Sequence, residues 1–224
     1  MPPPSAIPIL VLSAACWVGM IRYHAAGYHC FICGSFVGDL FAWMLMVGAM
    51  MLPMTLPAID DVSRRTYRQQ RVVATSEYVI GYLSCWAVAG MVFAVLRLHP
   101  LMHERFCVVL ACLLAALWAL LPARRIWFVQ CHVQIPLCPV GWRAHWDAFR
   151  QGATQGIPCV KMCWVLMVAC GISGHDWVMM IGGTVLAIRE KRMFRLNRAT
   201  LVVGSLILAV WFLGARAMES HHQH

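Results

Sequence analysis

The chain has 224 residues, of which 61% are apolar and 12% charged, and a formal charge of +9. That balance excludes an ordinary soluble domain and points to an integral membrane protein. The eleven cysteines do not suit a secreted disulfide scaffold, because most fall inside apolar runs.

A helix needs about 17–25 apolar residues to cross a bilayer core. Spans are expected at 5–21, 36–58, 77–97, 105–121, 156–172, 175–188 and 198–215. The sixth is short, so it reads as a tilted or partial span or as half of a hairpin with the fifth. Ser173-Gly174-His175-Asp176 forms the turn between those two. The fold class expected is all-α: a bundle of about six to seven transmembrane helices forming a single transmembrane domain over 1–224. The N-terminus lacks the basic start of a signal peptide, because no Lys or Arg precedes the first apolar run.

The basic residues alternate from loop to loop. Loop 59–76 carries Arg64, Arg65, Arg68 and Arg71. Loop 122–155 carries Arg124, Arg125, Arg143 and Arg150. Loop 189–198 carries Arg189, Lys191, Arg192, Arg195 and Arg198. The opposite side has only Arg22, Arg97, Arg105 and Arg216, thirteen against four. Positive charge marks the cytoplasmic side, so the N-terminus is expected in the cytoplasm, and 122–155 is expected to be a cytoplasmic loop. The charge is a topology device, and no aromatic-basic groove indicates nucleic acid. The partner implied is the lipid bilayer, in a bacterial inner membrane.

On that topology most histidines lie outside: His24, His29, His99, His103, His175, His221, His222 and His224, with the last three in an outer tail at 216–224. Histidine is a common zinc and copper ligand, although polar loops also carry histidines without a special cause. The outer loop 22–35 contains YHCFICG, with His29 beside a Cys30-x-x-Cys33 pair. Three readings stand: half of a metal site, a disulfide or redox pair, or two unrelated cysteines. A membrane thiol oxidoreductase is disfavoured, because no second outer cysteine pair is present.

Residues 44–54 read MLMVGAMMLPM. Met46, Met50 and Met54 fall at i, i+4 and i+8, one face of a helix. Pro53 removes a backbone donor and is expected to kink or open that helix. In the fifth span Cys159 and Cys163 are i, i+4, continued by Met167 and Cys170, with Met162 alongside. Thiolate and thioether donors select Cu(I) over hard cations, while methionine is also a common packing residue. Lys161 lies in the same span, where a charge is costly unless it snorkels or meets a polar partner.

Five blocks occur in order: AMMLPMTLP (49–57), GYLSCWAVAG (81–90), LLPARR (120–125), GIPCVKMCWVLM (156–167) and REK (189–191). Together, over about residues 40–191, they resemble the predicted metal-binding integral membrane proteins, a bacterial family formerly known only as a domain of unknown function. Members have been linked to copper delivery, including to a tyrosinase-type polyphenol oxidase. The resemblance therefore implies a non-enzymatic membrane copper chaperone. The family commonly has C-x-x-C-C-W in the fifth span; here Cys159 and Cys163-Trp164 remain and Met162 replaces the middle cysteine. A cysteine-histidine-cysteine cluster after the fourth span is reduced to Cys131, with Trp127 and Gln130 at the other two positions.

The site implied holds Cu(I) on Met50, Met54, Cys159, Met162 and Cys163, with His29, Cys30 and Cys33 as an outer transfer point. The partner implied is a copper-dependent enzyme. The competing expectation is an accessory subunit of a larger membrane oxidase or monooxygenase complex.

Overall fold

The computed structural model describes residues 6–25, 35–97, 105–136, 138, 141–174, 176–192 and 202–211. Among these the chain is all helical, with no strand. The helices are α1 (Ala6–Ala25), α2 (Phe36–Met51), α3 (Leu56–Arg65), α4 (Arg71–Arg97), α5 (Arg105–Leu120), α6 (Ala123–Gln130), α7 (Trp142–Ile172), α8 (Trp177–Arg192) and α9 (Val202–Trp211). Four stretches are long and apolar enough to cross a membrane: Ala6–Tyr23, Phe36–Arg65, Arg71–Arg97 and Trp142–Ile172. Residues 107–130 make a fifth if the bent pair α5–α6 is one span. Where a sixth and a seventh span are expected, α8 has 16 residues and α9 is a shorter apolar helix.

The segment 122–155, expected as a cytoplasmic loop between spans, has regular structure. It is helical over α6 and over the first half of α7, a helix of 31 residues. The physical reason is packing, which polar composition hides. Gln151 and Gln155 are buried on α7 and hold the connecting segment beside it. Gln151 Oε1 accepts the Ile135 N–H at 2.7 Å, and both glutamine amides donate to the Val133 carbonyl.

The chain divides into two compact units, Met1–Val95 with Trp127–Lys161, and Leu96–Ile126 with Met162–His224. In the first unit, α2 opens at Pro53 as expected. Residues Leu52–Thr55 form a 3₁₀ turn, and α3 resumes at Leu56. Pro53 has no N–H to offer the Ala49 carbonyl, four residues back. α1 supplies the missing donors: Ser13 Oγ at 3.0 Å and Trp17 Nε1 at 3.2 Å both bond Ala49 O. Ser13 and Trp17 are i, i+4 on α1, so one helix face serves one freed carbonyl.

α4 meets the first half of α7 through small residues. A side chain on Gly152 would overlap the Tyr78 carbonyl, and one on Gly81 the Phe149 carbonyl. Gly152 and Gly156 make a Gly-x-x-x-Gly step on α7, the spacing that lets two helix backbones approach closely in a membrane. α4 is joined to α2 as well: Trp43 Nε1 donates to the Trp86 carbonyl at 3.1 Å, and the Trp43 ring stacks on Phe93 with centroids 4.7 Å apart.

In the second unit Asp176 caps α8, its carboxylate accepting the Val178 and Met179 N–H groups at 2.9 and 3.2 Å. The expected turn therefore falls where the sequence places it. Trp118 and Trp164 meet edge to face at 5.9 Å and join α5 to the end of α7.

Candidate metal centre

The sulfur residues singled out by the sequence on α2, the 3₁₀ turn and α7 are buried, but in different settings. Met46, Met50 and Met51 are wholly buried, and Met54 nearly so. Met46 and Met50 share a face of α2. Met54 belongs to the 3₁₀ turn, whose tighter winding ends the i, i+4 progression. The stripe expected over three methionines is therefore regular only over two.

Cys159 lies in the first unit. Its sulfur is 3.0 Å from the Tyr82 hydroxyl, and both groups are buried. One turn earlier the Tyr78 hydroxyl donates to Gln155 Oε1 at 2.5 Å. Tyr78 and Tyr82 are i, i+4 on α4, and Gln155 and Cys159 are i, i+4 on α7. The glycine crossing sets the two ladders in register. Cys131 is buried in this unit too. Lys161 is exposed, with its ammonium 5.3 Å from the centre of the Trp127 ring, which gives the costly charge an aromatic partner.

Met162 and Cys163 lie in the second unit and line one small pocket there. Arg124, Glu190, Ser205 and Trp118 share its wall. Arg124 Nη2 donates to Glu190 Oε2 at 2.6 Å, with both side chains 5% exposed. Arg124 Nε has no acceptor among the described residues. Sequence reasoning missed this pair, treating Arg124 as a topology charge. A signal was present, because Arg124 lies in LLPARR and Glu190 in REK, two of the blocks that carry the family resemblance.

A second polar cluster lies outside the sulfur stripes, in the first unit. Glu77, His145 and Cys138 line one small pocket. His145 Nδ1 and Glu77 Oε1 are 2.6 Å apart, and Glu77 Oε2 has no hydrogen-bond partner among the described residues. The Cys138 N–H donates to Asp147 Oδ2 at 3.1 Å. A hydrogen bond to the Asp147 carboxylate, joined by its negative charge, holds the exposed Cys138 thiol above its ordinary range.

Among the described residues no three histidine, cysteine, aspartate or glutamate side chains converge as a metal cluster. His29, Cys30, Cys33 and the histidines of the 216–224 tail lie outside the described residues.

The described residues are all helical, and four stretches long and apolar enough to cross a membrane are compatible with a multi-pass membrane protein. A family model described as PpoB2, copper chaperone, matches residues 40–214. The chain belongs to that family, which confirms the resemblance and extends it beyond residue 191. No curated protein and no solved structure matches the chain.

Proposed function

We propose that this chain holds Cu(I) in transit within the cytoplasmic membrane of a bacterium and delivers it to a copper-dependent enzyme, without catalysing a reaction itself. The observation that carries the reading is the pocket lined by both Met162 and Cys163. A thiol and a thioether on the wall of one pocket, both buried, offer soft donors that favour Cu(I) over hard cations. Copper handling as such comes with the family. Cys159, held by Tyr82 in the first unit, is the next sulfur along α7 and the next stop for the ion. Met50 and Met54 complete the sulfur set. His29, Cys30 and Cys33 serve as the outer transfer point, which exchanges copper with the partner enzyme. Movement from one site to the next is ligand exchange between sulfurs and needs no redox change.

The test is metal content by mass spectrometry of protein loaded anaerobically with Cu(I). Near-stoichiometric copper is expected in the wild type. It should fall strongly in Met162→Leu/Cys163→Ser, fall in Cys159→Ser, and fall least in Met50→Leu/Met54→Leu, where packing accounts for part of the burial. Well-folded wild-type protein that retains no copper would sink the proposal and favour the accessory-subunit role.

A further inference from the structure

We propose that the cleft between α1, α3 and the start of α4 is a binding site for one anionic phospholipid. Arg68 and Arg71 hold its phosphate, and an acyl chain lies along α1 and α4. The inference is independent of the copper reading, because no sulfur residue lines this cleft among the described residues.

The cleft has a volume of about 500 Å³, within the range of small-molecule sites, roughly 300–1,000 Å³. It lies wholly in the first unit. α4 supplies one wall, and its lining residues change character along the helix. Arg71 comes first beside Val72, Thr75 and Ser76 follow one turn on, and Val79 and Ile80 a further turn on. At 1.5 Å per residue, Ile80 stands about 13 Å beyond Arg71 along the axis. Charge, hydroxyl and hydrocarbon thus succeed one another in the order of a phospholipid's phosphate, ester and chain. The α1 wall is apolar throughout: Pro8, Ile9 and Leu12. Leu12 and Ile80 are exposed, so the apolar end is open to a chain arriving from the bilayer. A free phosphate would use only the charged end and leave the rest of the cleft unmatched.

The charged end is equipped for an anion. Of the arginines around the α3–α4 turn, Arg64 pairs with Asp60 at 2.9 Å and Arg65 with Asp61 at 2.8 Å. The other two line the cleft. Arg71 donates its Nε–H to the Thr66 carbonyl at 3.4 Å, which leaves both terminal nitrogens of its guanidinium for a ligand. Arg68 is exposed and has no hydrogen bond or ion pair among the described residues. No carboxylate lines the cleft among the described residues, and residues 1–5, ahead of α1, contain none in their sequence. Glu77 on α4 is engaged by His145 at 2.6 Å in a separate pocket. Guanidinium groups bind phosphate oxygens with charge-assisted hydrogen bonds, and basic pockets between helices at the membrane surface take lipid headgroups this way. α1 is also the least buried of the four long apolar stretches, so a lipid wedged between it and α4 adds packing where the protein supplies least.

The experiment follows thermal unfolding of the full-length protein in detergent, stripped of lipid. It is titrated with phosphatidylglycerol, with phosphatidylcholine of the same chains, and with glycerol phosphate. A ligand that binds the folded chain raises its Tm. Phosphatidylglycerol should raise it, and the other two should not. Arg68→Gln/Arg71→Gln should weaken the apparent affinity for phosphatidylglycerol about 10–30-fold, the size expected of two arginines beside an anionic headgroup. Arg143→Gln/Arg150→Gln removes the same charge from exposed positions on α7 and should leave the affinity unchanged. An equal loss there would mean general attraction to the surface and overturn the site. Leu12→Trp, which fills the apolar end, should also weaken phosphatidylglycerol; an unchanged affinity would remove the chain from the cleft and overturn the inference. An equal response to glycerol phosphate leaves only an anion site, and an equal response to phosphatidylcholine only an apolar groove. No response to either lipid leaves the cleft to a protein segment. Each of these three outcomes overturns the inference. If the double variant does not fold, Arg68→Gln alone decides, with about a fivefold loss expected. None of these positions is a proposed copper ligand, so the copper content of the wild type judges that reading separately.

Discussion

In the first unit, α4 and α7 cross on bare glycines, and the polar groups beside the crossing are neutral: two tyrosine hydroxyls, a glutamine amide and a thiol, matched in pairs. In the second unit, Met162 and Cys163 share their pocket with an arginine and a glutamate held at 2.6 Å in almost complete burial. The two regions place buried sulfur in different electrostatic settings. Neutral pairs fix geometry and cost little if one is lost. A buried ion pair is indifferent to stability when whole and damaging when halved. The difference teaches that the first region can lose one partner at small cost, while the second depends on keeping both halves of its charge pair.

The largest effect expected is from halving the ion pair. Glu190→Ala should destabilise the fold by about 3–5 kcal/mol, because it strands the Arg124 guanidinium in burial. Arg124→Met/Glu190→Leu should be near neutral, and thermal unfolding in detergent compares the two. If both cost the same, the contrast with the first unit disappears. Next comes the crossing. Gly152→Ala should cost about 1–3 kcal/mol, since the added methyl meets backbone that cannot yield without moving α4 from α7. A smaller loss, about 1 kcal/mol, is expected for Tyr78→Phe, which removes one neutral hydrogen bond from the ladder. The smallest effect lies outside the spans and on reactivity alone. Asp147→Asn should lower the Cys138 thiol toward its ordinary range and raise its alkylation rate at neutral pH, with stability unchanged. The sign follows from the removed carboxylate, which favours the protonated thiol; an unchanged rate would show that Asp147 does not control it.

The helical class was legible from composition, and the break at Pro53 from one residue, because proline acts locally. The turn before α8 was legible for the same reason. The long reach of α7 was not. Residues 142–155 look polar enough for a loop, and only the burial of Gln151 and Gln155 explains why they are helix. The glycine crossing had a signal, Gly152 and Gly156 at the spacing of a close helix pair, which the metal-ligand reading passed over. Arg124 and Glu190 are a different case. Each was visible as a charge and each lay in a family block, but nothing in one sequence pairs positions so far apart. Cys159, Met162 and Cys163 were visible as a stripe on one helix; that Cys159 meets a tyrosine while the other two share a pocket depends on neighbours the stripe does not name.

The Ala49 carbonyl, bonded by Ser13 and Trp17, bears on where this protein can be cut. The family match begins at residue 40, and a designer of a minimal version would start there. Such a version would lose both donors and leave that oxygen bare in an apolar surround, beside the methionines of α2. The family match and this hydrogen-bonded unit therefore have different boundaries, and α1, carrying none of the proposed copper ligands, supplies both donors to the opened helix.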